Sequence, residues 1–425
     1  MVVGIVVVSA YVLPARLVVT GLGAAGRPAL LLGAALLGWW CLARLVPGLF
    51  VPGRNPLRVA LVLYVLTFLV SVLLGFARDM PVVEVSGADR SLLRMFGLVG
   101  ITLVVCDGVR TKERLDWLLR TYLAAAAFMA AVGTLQFVAD IDLTRWLRLP
   151  GLVANGDLIG IAGRGWDINR VAGTAGHYIE FGVLLTLAVP IALHFGFHSE
   201  ARWRRAMYQG LAAWLVLASF YSVSRSAIVC LLVAAAFTAT GWTWRRKVNI
   251  AVLGVLFLVA VRAFQPGLLG TLRSLFTNID NDPSIEGRTN DYEVVAPLIA
   301  DRLWFGRGPG TYSPVNYVLL DNQWLNILIT NGVVGVVASA GVIAAAVALA
   351  ARTGRWAATD RDRNLGRALT ASLLAAAVIS LTFDSLSFST FAVTLFFLLG
   401  VAGAHWRLTG GPRPGDRTPP PGVPL

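Results

Sequence analysis

Charged side chains are scarce in this sequence: they make up 14% of its 425 residues, against about a quarter in an ordinary soluble domain. Hydrophobic residues make up 57% and mean hydropathy is +0.72. Lysine is almost absent, with Lys112 and Lys247 beside 34 arginines (36 − 2). The formal net charge is +13, but the basic residues fall in short clusters between apolar runs, as in membrane proteins. We therefore expect a membrane protein with no nucleic-acid partner.

Cysteine and histidine are also too few and too dispersed to indicate a metal centre. Cys41, Cys106 and Cys230 lie in or beside apolar runs and fit neither a metal spacing nor a disulfide framework. Of the four histidines only His194 and His198 are four residues apart, within or beside an apolar run, and two histidines alone do not make up a metal site. We expect no metal and no cofactor.

Long apolar runs are what the sequence has in abundance. A helix of about 20 apolar residues crosses a hydrocarbon core of about 30 Å. The predicted fold is all-α, a polytopic membrane domain over residues 1–407 with about twelve transmembrane helices, followed by a disordered, cytoplasmic, Pro/Gly-rich tail at 408–425. The twelve runs cover residues 2–20, 28–46, 57–76, 91–107, 116–138, 178–197, 207–223, 225–241, 247–264, 322–351, 366–384 and 387–406.

The distribution of arginine predicts the topology. Most basic residues fall in one alternate set of connections between the runs, and an excess of Lys and Arg marks cytoplasmic loops. Both termini are therefore expected in the cytoplasm, with residues 139–177 and 265–321 outside the cytoplasmic membrane. Both segments exceed the length of about 15 residues beyond which a loop is usually functional or disordered. Because aromatic and apolar residues recur in both, we expect ordered, partly helical segments on the outer membrane surface.

Two arginines are candidates for binding an anion. Arg225 lies in SFYSVSRSAIV, between two spans with almost no loop to hold it; it faces either lipid headgroups or an internal cavity. Arg288 lies in the external segment and is either a solvated charge or a ligand. A guanidinium group suits phosphate because it donates two parallel hydrogen bonds.

Acidic and imidazole side chains supply candidates for proton transfer. Asp321 stands where the external segment re-enters the membrane, so it is either a helix N-cap or a general base. His177 and Glu180 in RVAGTAGHYIEFG share one side of a helix start, as a satisfied polar pair or as groups that orient an acceptor. Asp384 is read as part of a short external turn. GRGPG at 306–310 predicts a tight turn rather than a nucleotide site.

The ordered set of RVAGTAGHYIEFG, SVSRSA, the external GRT and GRGPG, and DNQWLNILITNGVVG resembles the O-antigen ligase and O-antigen polymerase superfamily over roughly residues 165–345. The resemblance implies a metal-independent glycosyltransferase of the cytoplasmic membrane. Such enzymes move a glycan from a polyprenyl diphosphate carrier, usually undecaprenyl diphosphate, to an acceptor hydroxyl on the outer face. The acceptor is another carrier-linked glycan for a polymerase and a lipid or cell-envelope molecule for a ligase.

The resemblance also implies residue roles. Arg225 and Arg288 match the arginines expected to bind the carrier diphosphate, while Arg170 is a further candidate for binding substrate. Asp321 and Asn322 stand where many members have His-Asn, whose histidine is the expected base. Because the pKa of Asp is about 3.9 against about 6.5 for His, three alternatives remain open: Asp321 is the base, His177 or Glu180 replaces it, or stabilisation of the leaving group dominates.

A polytopic transporter or lipid-linked glycan flippase is the alternative from another class. Transporters usually carry ionisable residues or broken helices near mid-membrane. In this sequence the spans are interpreted as nearly free of charge, with polar residues gathered outside, which favours an enzyme acting at the outer face.

Overall fold

A computed structural model of the chain describes residues 2–46, 55–156, 160–164, 168–264, 266–277, 283–313 and 315–410. Within these ranges the chain is almost entirely helical, with two pairs of short strands. The helices are α1 Val2–Val12, α2 Pro28–Leu45, α3 Pro56–Phe76, α4 Val82–Gly108, α5 Lys112–Ala139, α6 Tyr178–His198, α7 Arg202–Phe220, α8 Arg225–Ala239, α9 Trp244–Phe264, α10 Pro266–Thr277, α11 Pro283–Asp301, α12 Gln323–Trp356, α13 Asp360–Ile379 and α14 Ser389–Leu408. The strands are β1 Leu17–Val19, β2 Leu152–Ala154, β3 Ile161–Arg164 and β4 Ile168–Val171.

Each of the twelve predicted runs corresponds to one helix, but not every helix is long and apolar enough to cross a membrane by itself. Seven are, namely α2, α3, α4, α5, α6, α12 and α14, and the bent pair α9–α10 would make eight within the described residues. At 1.5 Å per residue, the 11 residues of α1 and the 15 of α8 extend about 16 Å and 22 Å, well short of a bilayer core. The helices indicate a multi-pass membrane protein and leave the predicted count of twelve spans untested.

The first run is the clearest departure from prediction. We expected one span over residues 2–20, but α1 ends at Val12 and Pro14 follows. Leu17–Val19 then forms β1, which pairs antiparallel with β2, Leu17 opposite Ala154 and Val19 opposite Leu152. Hydropathy alone cannot separate an apolar strand from the end of an apolar helix. The interpretation of 2–20 as one span is therefore wrong.

The two long segments predicted to lie outside the membrane differ in structure. Residues 139–177 contain a 3-10 turn at Leu143–Arg145 and strands β2, β3 and β4, with Ile161 opposite Val171 across the β3–β4 pair. Residues 265–321 contain α10 and α11, so partly helical structure is confirmed there. The β-branched residues and glycines of the first segment favour extended hairpins over helix. The predicted tail mostly lies outside the described residues, which end two residues after α14.

The bundle is built around α6 and α14, which are buried along nearly their whole length. α14 packs against α4, α12 and α13, while α6 packs against α7, α8 and α13. By contrast, only 22–28% of the residues in the apolar stretches of α2, α3 and α12 are buried within the protein. Apolar helices exposed to this extent require a lipid environment, since water would penalise their surface.

The two ends of the bundle differ in composition. The basic end connects α4 to α5, α6 to α7, α8 to α9 and α12 to α13. An ion pair between Lys112 and Asp362 at 2.6 Å and a hydrogen bond between His198 and Asp360 at 3.1 Å hold it together. The opposite end, named here the loop-rich end, carries the four strands, α10, α11 and the short α7–α8 and α13–α14 turns. All the predicted site residues therefore belong to one end of the bundle.

Candidate functional site at the loop-rich end

A cavity of about 410 Å³ opens at the loop-rich end, between α4, the start of α12, the GRGPG loop and the α13–α14 turn. We call it the arginine cavity, because Arg90 and Arg94 of α4 line it. Its other polar wall residues are Ser91, Asn155, Tyr312, Gln323, Asn326, Thr330, Asn331, Ser339 and Ser387. Two cations among amide and hydroxyl groups form a wall suited to an anion.

A narrow apolar slot adjoins the cavity between α3, α12 and α14. It shares Tyr64, Gln323, Ile327, Ser339 and Leu386 with the arginine cavity. Its remaining lining is mostly hydrocarbon, supplied by Trp324, Val342, Ile343, Ser380, Leu395, Phe396 and Leu399. The slot is small, about 30 Å³, so it places an apolar surface beside the polar cavity.

Arg94 is the most unusual side chain in the cavity wall. Its Nε and Nη2 atoms are inaccessible to solvent and make no hydrogen bond within the described residues. Buried polar groups are nearly always hydrogen-bonded, and an unsatisfied one is destabilising. Arg94 lies 12 residues into α4, about 18 Å along the helix axis, whereas Arg90, one turn earlier, is exposed. Arg94 is therefore an exception to the expectation that the spans are nearly free of charge.

The glycines of the GRGPG loop allow it to form the cavity wall. Gly306, Gly308 and Gly310 have φ values of +69°, +107° and +76°, a region that non-glycine residues rarely adopt. A Cβ atom on Gly310 would lie 2.2 Å from the carbonyl oxygen of Gly87 on α4. The predicted tight turn is confirmed, and backbone contact with α4 is a reason for its glycines.

Arg307, between the first two glycines, anchors the GRGPG loop to the first turn of α4. Its Nη2 atom donates a hydrogen bond to the Tyr317 hydroxyl at 2.9 Å, and that hydroxyl donates to Glu84 at 3.1 Å. Glu84 is buried and also pairs with Arg78. This network holds the loop in place with charges that do not line the cavity.

The start of α12 shows which residue caps the helix. The Asn322 side-chain oxygen accepts hydrogen bonds from the backbone N–H groups of Trp324 at 3.0 Å and Leu325 at 3.3 Å. Its amide nitrogen donates to the Tyr292 hydroxyl on α11 at 3.4 Å. The N-cap is therefore Asn322, and the alternative that Asp321 caps this helix is wrong.

Asp384 in the α13–α14 turn is held by the start of α12. Its Oδ2 atom accepts hydrogen bonds from the Asn326 amide at 3.3 Å and from the Ser387 hydroxyl. Its Oδ1 atom is inaccessible to solvent and has no hydrogen-bond partner within the described residues. Burial raises the pKa of Asp384 to about 6, and the nearby negative charge of Asp321 adds to this, while its hydrogen bonds and the Arg94 charge oppose it. A carboxylate in such a setting differs from the plain turn residue expected from sequence.

Arg225 begins α8 after a strained turn. Val223 has φ +44°, which is a true outlier for a β-branched residue and is typical of functional turns. Ser226, the next residue, accepts a hydrogen bond from Thr382 at 2.9 Å. Arg225 is therefore placed beside the turn that carries Asp384, although it does not line the arginine cavity.

His177 caps α6, because its Nδ1 atom accepts the Ile179 N–H at 3.2 Å. Burial, with the nearby charge of Arg170, lowers the pKa of His177 to about 4. The imidazole is then neutral at physiological pH with its proton on Nε2, which makes Nε2 a hydrogen-bond donor and not a base. The Arg170 guanidinium lies 3.8 Å from the centre of the Tyr178 ring and can take part in a cation–π contact.

The contacts of Glu180 indicate a structural role. It is fully buried, its Oε2 atom accepts the Gly176 N–H at 2.7 Å, and its Oε1 atom accepts the Phe391 N–H of α14 at 2.9 Å. The first bond closes the turn before α6, and the second fastens α6 to α14. His177 and Glu180 therefore both make contacts at the start of α6, and neither lines the arginine cavity.

Arg288 lies on α11, one helical turn before Tyr292, and its side chain is outside the described residues. Its predicted contact with a diphosphate stays a prediction. Sequence reasoning missed Arg90, Arg94, Asn326 and Ser387 altogether. The signal that could have found Arg94 is its position in an apolar run, since an ionisable residue within a membrane helix is a functional-site hypothesis by default.

Comparison with known protein families bears on the segment that carries α8 to the middle of α12. The family model described as O-antigen ligase matches residues 210–340. No curated protein matches the chain. The matched segment includes Arg225, Arg288, the GRGPG loop and Asp321, whereas Arg170, His177 and Glu180 precede it. This match confirms the similarity of the chain to the O-antigen ligase and O-antigen polymerase superfamily, predicted above from its ordered motifs.

Proposed function

We propose that this protein is a glycosyltransferase of the cytoplasmic membrane. It transfers a glycan from a polyprenyl diphosphate carrier, such as undecaprenyl diphosphate, to an acceptor hydroxyl at the outer face. The observation that carries the proposal is the arginine cavity, in which the poorly satisfied Arg94 guanidinium lies beside an apolar slot. The family match to residues 210–340 supports the same class of reaction.

The two halves of the carrier fit the two parts of the site. Arg94 and Arg90 offer N–H groups to the diphosphate, and charge-assisted hydrogen bonds of this kind are roughly twice as strong as neutral ones. Arg225 and Arg288, assigned by resemblance, complete the anion site in this proposal. The slot between α3, α12 and α14 has room for only about 30 Å³, so in this proposal the polyprenyl chain lies against its apolar mouth and leaves toward lipid along α3 and α12.

Catalysis in this proposal stabilises the leaving group. As the bond between the sugar C1 and the phosphate oxygen breaks, negative charge builds up on the diphosphate. Fixed cations pointing at that charge contribute several kcal/mol in a site that excludes water. The chain's own arginines supply this charge, so we propose that the reaction is metal-independent.

The proposal is tested with the full-length protein in lipid nanodiscs. Labelled undecaprenyl diphosphate-linked glycan is added, with either excess carrier-linked glycan or a lipid acceptor as the second substrate. We expect longer or relocated glycan and release of undecaprenyl diphosphate, at a rate that EDTA leaves unchanged. Movement of labelled carrier across a proteoliposome bilayer without glycan transfer would instead support the flippase alternative.

Orientation is tested independently by cysteine labelling in intact cells. Val315 is 78% exposed at the loop-rich end, and Glu200 is exposed at the basic end. In a Cys41→Ser background, which removes the exposed native thiol, Val315→Cys should react with a membrane-impermeant maleimide. Glu200→Cys should react only after lysis. The reverse pattern would place the arginine cavity in the cytoplasm and contradict transfer at the outer face.

A further inference from the structure

The α13–α14 turn presents a hydroxyl–carboxylate pair to the arginine cavity. The Ser387 hydroxyl lines the cavity and donates its hydrogen bond to Asp384 Oδ2, so the carboxylate is one hydrogen bond away from whatever the cavity holds. Asn326, which also lines the cavity, donates to the same oxygen at 3.3 Å. A cavity wall built in this way can pass a proton inward to a carboxylate.

The position of this pair is fixed by contacts from two other helices. Gln323 of α12 accepts the Leu386 N–H at 2.5 Å through its side-chain oxygen. Thr382, two residues before Asp384, donates to Ser226 of α8 at 2.9 Å. The turn therefore cannot move away from the cavity without breaking contacts to α8 and α12, and catalytic groups work best when held this firmly.

Burial and two nearby charges together influence the basicity of Asp384. Arg94 faces it from α4, and Asp321 faces it from the segment before α12. Burial has the largest influence and raises its pKa to about 6, close to the range in which a general base works near neutral pH. The Arg94 charge keeps the carboxylate ionised above that pH.

We infer that Asp384, reached through the Ser387 hydroxyl, accepts the proton of the acceptor hydroxyl during glycan transfer. This inference rests on the proposed function and names a residue for its unassigned base. Ser387 and Asn326 line the cavity and contact Asp384, whereas Asp321, the base expected from resemblance, does not line it.

The step balances in atoms and electrons. The acceptor oxygen forms a bond to the sugar C1 while the bond between C1 and the diphosphate oxygen breaks, and that electron pair leaves with the diphosphate. The acceptor proton passes to Ser387 Oγ as the proton of Ser387 passes to Asp384 Oδ2. Afterwards Asp384 is neutral, and its proton returns to solvent through the same hydroxyl.

The test compares Asp384→Asn, Ser387→Ala and the control Asp301→Asn, an exposed carboxylate of α11 at the same end. Transfer is measured at saturating donor from pH 5 to 8, and donor binding is measured separately. General-base help contributes about 10²–10⁴-fold, so we expect Asp384→Asn to be at least about 100-fold slower with unchanged donor binding. The wild-type rate should fall as pH is lowered through about 6, because a base must be deprotonated, and this limb should vanish in Asp384→Asn.

Ser387→Ala should be slower but should keep the acid limb, since a water molecule can replace the hydroxyl. Asp301→Asn should match the wild type. Stability gives a further check: a buried carboxylate with a raised pKa favours the folded state at low pH and loses that contribution as pH rises through about 6. Asp384→Asn should therefore raise the melting temperature at pH 8 and not at pH 4.

The outcomes separate the two proposals. A wild-type protein that transfers glycan while Asp384→Asn keeps its rate and its acid limb would overturn the proton-acceptor role alone. The proton-acceptor role of Asp384 would also be overturned if Asp321→Asn removed the acid limb of the pH profile and Asp384→Asn did not. If Asp384→Asn fails to fold, the wild-type pH profile and Ser387→Ala decide. A wild-type protein with no transfer activity would overturn the proposed function itself.

Discussion

Replacing Arg94 by methionine is expected to lower glycan transfer by about 10²–10³-fold, the loss typical of removing one preorganised donor to a developing negative charge. The same change should leave the melting temperature unchanged or raise it. The Nε and Nη2 atoms of Arg94 are buried and make no hydrogen bond within the described residues. Methionine has a similar length, so the substitution removes an unsatisfied cation and keeps most of the packing. Loss of activity with gain of stability is the signature of a group kept for function.

The control is Arg114→Met, an exposed arginine at the basic end, which should leave both activity and melting temperature unchanged. Arg94→Lys should recover part of the activity, because an ammonium keeps the charge but cannot donate two parallel hydrogen bonds. Both variants are assayed for donor binding and for transfer at saturating donor. An Arg94→Met protein that melts earlier and transfers normally would assign Arg94 to the fold instead of the site.

The helices of this protein could be predicted from sequence because hydropathy is a strong and local signal. Each apolar run became a helix, and the departures lie where local signals compete. In residues 2–20 the run continues through Pro14 into strand β1, whose partner Leu152–Ala154 is more than 130 residues away in the sequence. A pairing between such distant segments leaves no trace in local composition.

The site was predictable only where a side chain acts alone. Arg225 and the glycines of GRGPG stand out in the sequence, since each breaks a local pattern. Arg94 and Asp384 gain their meaning from burial and from each other's charge, which depend on how α4, α12 and the α13–α14 turn pack together. No spacing within the sequence reports such a contact between helices.

The residues before α12 illustrate how a neighbour changes an interpretation. Asp321 and Asn322 are both good N-cap residues, and sequence alone does not say which one caps. The structure gives the cap to Asn322. The catalytic role of Asp321 stays a prediction.

Replacing Arg225 by alanine is expected to abolish measurable transfer while the protein still inserts at normal levels. Arg225 follows the strained Val223, and strain is retained where the surrounding structure holds a functional group in position. Its neighbour Ser226 is hydrogen-bonded to Thr382, so the start of α8 is held beside the turn that carries Asp384. Arg288→Ala should have a similar effect if both arginines bind the carrier diphosphate.

The alternative role for Arg225 is that its side chain only contacts lipid headgroups. Under that account its removal changes insertion or lipid dependence, and donor affinity stays as in the wild type. Donor affinity is therefore measured for Arg225→Ala in nanodiscs of anionic and of zwitterionic lipid. We expect weaker donor affinity in both lipids. Weaker donor affinity in anionic lipid alone would contradict the diphosphate assignment.

A double-mutant cycle between Arg225→Ala and Arg94→Met tests whether the two arginines hold one ligand. Arg94 lines the cavity and Arg225 does not, so a shared diphosphate would have to bridge the space between them. Residues that share a ligand show coupling energies of about 0.5–3 kcal/mol, whereas independent sites add within about 0.5 kcal/mol. We expect coupling in donor binding, because a diphosphate already displaced from one guanidinium gains less from the other. Strict additivity would mean that Arg225 acts on the acceptor or on the membrane, and the anion site would then consist of α4 and the external segment alone.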